Sequence, residues 1–312
     1  MIIIKVFSVF LIIILGIIVR KKNLISSITI NEFSVIITKV FYPALIFSSF
    51  LKNFSSDEII KNYLLPLGTI LIMTVGYIYG IFISKFLKFK DEKEKNTFRF
   101  QCTINNYSFL PLPIIILLYG EKYGTFLILS TFGSEISVWT IGILSLTGNR
   151  LKKESFKNIL SIPMISIILS VVLIFLKDYV SIQNIKIIET GNSILNTISL
   201  IGNATIPVAL FIAGAKMGEI NFKSIFDFNS MVLSLFRLII IPLTSIFLFY
   251  ILSFPYEIKR VLNIVAIMPS AIASIVLSEA FGGDSEFAAK TVLLTHLLSL
   301  ITIPIFLYIL RG

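Results

Sequence analysis

Apolar residues run along this chain in blocks of about twenty, the length that crosses roughly 30 Å of hydrocarbon as a helix, and short stretches of charge and turn residues part the blocks. Ten blocks occur, at residues 2–19, 33–51, 63–84, 100–120, 123–149, 158–176, 190–215, 228–254, 261–278 and 291–310. The pattern predicts an all-α membrane protein of ten transmembrane helices. The first block ends in Arg20-Lys21-Lys22 with no small-residue cleavage site before the next apolar run, which predicts a retained helix and not a signal peptide.

Composition sharpens this picture. Hydrophobic residues make up 56% of the 312 and charged residues 14%, whereas a soluble domain carries roughly 25% charge. The mean hydropathy is +0.95. Lys and Arg outnumber Asp and Glu by 27 to 17, but the excess lies between apolar runs and not on one solvated face, so nucleic acid is not an expected partner. One cysteine, Cys102, and one histidine, His296, leave no internal disulfide and no Cys/His zinc cluster, so neither metal nor cofactor is expected. The chain has no P-loop, no His-Glu-x-x-His and no Gly-x-Ser-x-Gly, which argues against nucleotide-driven pumping and intramembrane hydrolysis, and the reading is not an enzyme.

Charge also orients the blocks. The connections after blocks 1, 3, 5, 7 and 9 hold 16 Lys and Arg, those on the opposite side hold 9, and Lys39 and Arg237 are left inside blocks. Basic loops resist translocation, so the richer side is expected in the cytoplasm of a plasma membrane with both termini outside. The charged stretch from Lys85 to Arg99 reads as an inside-facing, solvated loop near anionic headgroups.

The two sides of the basic connector Arg150 to Lys157 resemble each other. Block 2 reads "FYPALIFSSF" and block 7 "TIPVALFIAG", with Pro43 and Pro207 164 residues apart; Gly120 and Gly283, at the ends of blocks 4 and 9, are 163 apart. A near-constant offset is what duplication predicts, giving a first five-helix repeat over 1–150 and a second over 151–312. Five spans per copy is an odd number, so the second copy enters the membrane inverted, an architecture that supports alternating access.

Blocks 4 and 9 interrupt themselves. "QCTINNYSFLPLP" (101–113) carries Asn105, Asn106 and Ser108 ahead of Pro111 and Pro113, and "AIMPSAIASIV" (266–276) carries Met268, Pro269, Ser270 and Ser274. Proline removes a backbone hydrogen bond, and non-helical backbone at membrane depth survives only where protein buries it or a cavity wets it. Two breaks in the fourth position of each half therefore mark a binding site, where half-helix N-termini suit an anion and opposing carbonyls a cation. A simple proline kink held by neighbours is the alternative.

These residues also carry a resemblance. "NYSFLPLP" (106–113) resembles the Asn-x-Gly-x-x-Gly-x-Pro stretch of the auxin efflux carrier family, with Asn106 and Pro113 matching and Ser108 and Pro111 standing at the glycine positions. "TIPVALFIAGAKMG" (205–218) is similar to its seventh-helix pattern, and "MPSAIASIVLSEAFGGD" with "TVLLTHLLSLITIP" (268–304) to its C-terminal signature. The resemblance implies a secondary carrier of ten helices in two inverted repeats, with unwound helices 4 and 9 crossing, related in fold to the bile-acid:sodium symporters. It implies organic anion substrates such as malate, and the residues at the two breaks, Asn105, Asn106, Ser108, Pro111, Pro113, Met268, Pro269, Ser270 and Ser274, are expected to bind the substrate. A sodium-coupled symporter of the bile-acid type, or a sensor or channel of the same fold, stays open.

Charge inside the membrane is costly and each instance is a functional candidate. At 1.5 Å per residue, Lys39 and Arg237 lie about 12 and 14 Å from one side and Glu135 about 18 Å from the other, so all three reach a similar level. Glu135 is expected to pair with Lys39 or Arg237, leaving the other cation to attract substrate; Arg237 is the better anion site because its planar fork suits carboxylates. The alternative sets Lys39 at the interface and a static Glu135–Arg237 pair. His296 is either a proton relay or a hydrogen-bonding residue of the bundle. The expected partners are a small organic anion and membrane lipid, with a homodimer open, and the coupling ion is H+ or Na+.

Overall fold

A computed structural model describes residues 2–148, 161–180, 185–220 and 225–310. The described residues are helical, without a named strand. In chain order they form α1 (Ile2–Lys21), α2 (Ser27–Asn53), α3 (Ser56–Ile83), α4 (Glu92–Thr103), α5 (Pro111–Tyr119), α6 (Glu121–Leu146), α7 (Ile162–Val180), α8 (Ile185–Asn203), α9 (Thr205–Gly218), α10 (Phe228–Ile251), α11 (Tyr256–Ala266), α12 (Ser274–Ala280) and α13 (Ser285–Ile309). Among the described residues, 7 stretches are long and apolar enough to cross a membrane: α2, α3, α6, most of α7, Gly191–Gly218 across α8 and α9, α10 and α13.

Blocks 4 and 9 each divide into two short helices, α4 with α5 and α11 with α12. Both also begin earlier than the apolar run. The stretch read as a solvated loop up to Arg99 is helical from Glu92, because the Asp91 carboxylate accepts the Glu94 N–H at 2.9 Å while Glu94 accepts the Lys90 N–H at 2.8 Å. The first bond satisfies a donor that a helix start leaves orphaned, and the second ties the preceding residue to the first turn. The α11 helix starts behind Pro255. The connector Arg150 to Lys157, and with it the boundary between the expected repeats, lies outside the described residues.

Three long helices contain a π turn: Ile37–Phe41 in α2, Val138–Gly142 in α6 and Phe236–Ile240 in α10. The first and last stand just ahead of Pro43 and Pro242. A proline breaks the regular ladder, and the wider turn re-pairs the backbone, with the Tyr42 and Ile241 N–H groups reaching back to Ile37 and Phe236. Lys39 and Arg237 each sit inside such a turn. Pro207 lies in the first turn of α9, where a missing N–H costs little.

Packing sorts the helices into two groups. In the first, α1 packs along α9, and α2 packs against α7 and α8. Gly16 and Gly214 allow the closest approach: a Cβ on Gly16 would stand 2.1 Å from the Phe211 carbonyl oxygen, and one on Gly214 1.9 Å from that of Ile13. In the second group α3 packs on α4, α6, α10 and α11, and α13 on α4, α10 and α12. The main apolar core runs through both, from Phe10 and Phe50 to Leu127, Val261 and Leu293.

Candidate functional site

Residues 104–110 and 267–273, the two unwound segments, meet. Asn105 and Ser270 form an isolated antiparallel bridge, the Asn106 N–H donates to the Pro269 carbonyl at 2.7 Å and the Ala271 N–H to that of Ile104 at 3.3 Å. Unwinding frees main-chain groups that hydrocarbon cannot satisfy, and each segment here supplies partners for the other. The crossing is sealed: Asn105, Ser270 and Ser274 have no exposed surface, and Asn106 has 4%.

Arg237 reaches the crossing from the π turn of α10. Its Nη1 donates to the Cys102 carbonyl and its Nη2 to the Ala266 carbonyl, both at 3.0 Å. Those carbonyls end α4 and α11. One fully buried guanidinium thus covers the C-terminal, partially negative ends of both half-helices. Gly76 lets α3 approach this point, since a Cβ there would stand 2.2 Å from the Cys102 oxygen. The Asn105 amide donates to Val265, one residue from the end of α11.

Asn106 is held on both sides. Its Oδ1 accepts the Leu110 N–H at 3.3 Å, at the entry to α5, and its Nδ2 faces His296 Nε2 at 3.4 Å. The His296 Nδ1 lies 2.8 Å from the Val292 carbonyl, an acceptor, which assigns the proton to Nδ1 and leaves Nε2 to accept from the amide. Ser274 Oγ accepts from Gln101 Nε2 at 2.9 Å, and the same Gln101 nitrogen donates to the Ala288 carbonyl at 3.0 Å. The Ser270 N–H points at Thr295 Oγ1, 3.4 Å away. Pro111 and Pro113 are buried in the first turn of α5, where proline needs no donor. Met268 is fully buried, its N–H donating to Val265 at 3.2 Å. Ser108 faces the hydroxyl of Tyr42.

The crossing therefore gathers Asn105, Asn106, Ser270, Ser274, Arg237 and His296. The expected charge pair does not form. Among the described residues, Glu135 has no ion pair with Lys39, with Arg237 or with any other cation. Its Oε1 accepts the Tyr107 hydroxyl at 2.9 Å, and its Oε2 accepts Trp139 Nε1 and the Ser161 hydroxyl, both at 3.3 Å. Lys39 is exposed on α2 beside the exposed Ile36 and Val40, away from the crossing. Rise along a helix gives depth and not azimuth, so charges expected at one level need not face one another. The static Glu135–Arg237 pair fails on the same contacts.

Gln101, Tyr107 and Thr295 join the site without having been singled out. Gln101 had a signal, since it is a polar residue four positions ahead of Asn105 inside an apolar block. Tyr107 and Thr295 had none. Two cavities lie away from the crossing: an apolar one of about 380 Å³ between α1, α2 and α9, and one of about 700 Å³ lined by Lys88, Lys90, Asp227, Asp284, Glu286 and Lys290.

A family model described as membrane transport protein matches residues 1–162 and 146–307. An uncharacterised transporter of Methanocaldococcus jannaschii is 26% identical over 283 residues, which span 89% of this chain and 88% of that relative.

Proposed function

The chain belongs to the membrane transport protein family that includes the auxin efflux carriers, and on that premise we propose that it is a secondary carrier of small organic anions, malate or another carboxylate, working by alternating access around the crossing. The observation that carries this reading is the antiparallel pairing of two unwound segments at Asn105 and Ser270. A crossing of broken helices is a joint: its main-chain bonds are few, and its polar side chains can exchange partners for a solute when the helices move.

Ten spans in two inverted five-helix repeats, over 1–150 and 151–312, would let the halves swap conformations; in a plasma membrane the basic-loop asymmetry would set both termini outside. Asn105, Asn106, Ser108, Ser270 and Ser274 contact the solute, while Pro111, Pro113, Met268 and Pro269 keep the segments unwound. Arg237 attracts the anion through its field, since its charge is buried and no carboxylate neutralises it among the described residues. Its hydrogen bonds to carbonyls support this role over that of a direct ligand.

The test is counterflow of labelled malate and related dicarboxylates into liposomes holding the purified protein, with and without sodium. Saturable counterflow supports the carrier; non-saturating flux without counterflow would make the protein a channel.

A further inference from the structure

Glu135 is the second buried charge among the described residues, and the carrier cycle above gives it no task. It is 6% exposed, in the middle of α6. Tyr107 from the unwound segment and Tyr42 from α2 are the titratable groups that face it. The α3, α4, α5, α7 and α11 helices also pack on α6, and among the described residues they bring no cation within ion-pair distance of its carboxylate.

An unpaired carboxylate at membrane depth is costly in its ionised form and cheap in its neutral form. The three donors around Glu135 are themselves neutral, and they differ in one respect. The indole N–H of Trp139 can only donate, so Oε2 must remain an acceptor. The Tyr107 hydroxyl at Oε1 can donate or accept. One proton placed on Oε1 would then be donated to the Tyr107 oxygen while both contacts at Oε2 persist. The site holds a carboxylate or a carboxylic acid without losing a hydrogen bond.

Position adds the second argument. Tyr107 is the neighbour of Asn106, whose N–H bonds Pro269 across the crossing. Ser161, on the other oxygen, also receives the Met164 N–H at 3.3 Å and so caps the start of α7. The carboxylate thus touches the crossing on one side and, on the other, a helix of the group that packs with α2. Movement between the groups must break or reform the Ser161 contact, which loses strength when the carboxylate is neutralised.

We infer that Glu135 binds and releases the transported proton, so that the carrier moves its anion together with H+. The inference rests on the carrier reading above. The balance is simple: one proton from water on one side adds to the Glu135 carboxylate and neutralises it, Arg237 is then the single buried charge among the described residues, and the bound anion offsets that charge. After reorientation the proton returns to water on the other side, and the anion leaves. His296 is the poorer site, because a proton on Nε2 would face the Asn106 amide donor, and turning that amide would forfeit the Leu110 bond.

The experiment uses purified protein in sodium-free liposomes with labelled malate. An inward gradient of one pH unit is expected to drive about tenfold accumulation per coupled proton. Glu135→Gln is expected to abolish that accumulation while counterflow continues and no longer depends on pH. Accumulation by the variant equal to wild type, or accumulation driven by sodium and indifferent to pH, would overturn the inference. If malate does not move at all, the carrier reading is what has failed. The proton site is then read by infrared spectroscopy of the wild type: a carboxylic-acid C=O band that titrates and is missing in Glu135→Gln supports it, and the absence of such a band overturns it.

Discussion

Arg237 and Glu135 are both buried deep in long helices, and their surroundings are opposite. Arg237 is tied to main-chain carbonyls at the ends of two different half-helices, whereas Glu135 is tied to side-chain donors, two of them hydroxyls that can turn. Carbonyls at helix ends cannot change their character, so Arg237 has one state. Hydroxyls can reverse, so Glu135 has two. One buried charge fastens the crossing and the other can report on it.

Variants can break this contrast. The largest loss is expected from Arg237→Ala, which strips a donor from two buried carbonyls and should cost about 2–4 kcal/mol, measured by unfolding in detergent. If stability held and only the apparent affinity for anion fell, Arg237 would be a ligand and not a fastener. Gly76→Ala pushes a methyl group onto the Cys102 carbonyl that Arg237 holds and should cost about 1–3 kcal/mol in the same assay. Asn106→Ala should lower malate counterflow by more than about tenfold at a stability cost of about 1 kcal/mol; normal flux would make the amide purely structural. On the other side of the contrast, Glu135→Gln should change stability by less than about 1 kcal/mol, since the carboxamide oxygen still accepts. Lys39→Gln, on the exposed face of α2, should leave stability within about 0.5 kcal/mol and counterflow unchanged.

Spacing announced the breaks, whereas their crossing was legible only through the family resemblance. Pro111, Pro113 and Pro269 interrupt apolar runs, and that is a local property readable from spacing. The bridge between Asn105 and Ser270 joins residues far apart in the chain, and no periodicity encodes it. Helix starts were missed for a related reason: Glu92 to Arg99 is too charged to read as a span, although Asp91 followed three residues later by Glu94 is a helix-start signal in its own right. The charge pair failed because depth was legible and direction was not. Burial follows the same division, with 67% of the apolar window of α6 buried against 28% of that of α7, so polar residues on α6 were always the ones to have internal partners.

Alternating access requires the crossing to open to each side of the membrane in turn and to receive an anion. The direct measurement places a cysteine at Ser270 in a Cys102→Ala background and labels it with an impermeant thiol reagent from either face. Labelling is expected from both faces, slowed by malate in each case. Labelling from neither face, or at a rate malate does not touch, would contradict it.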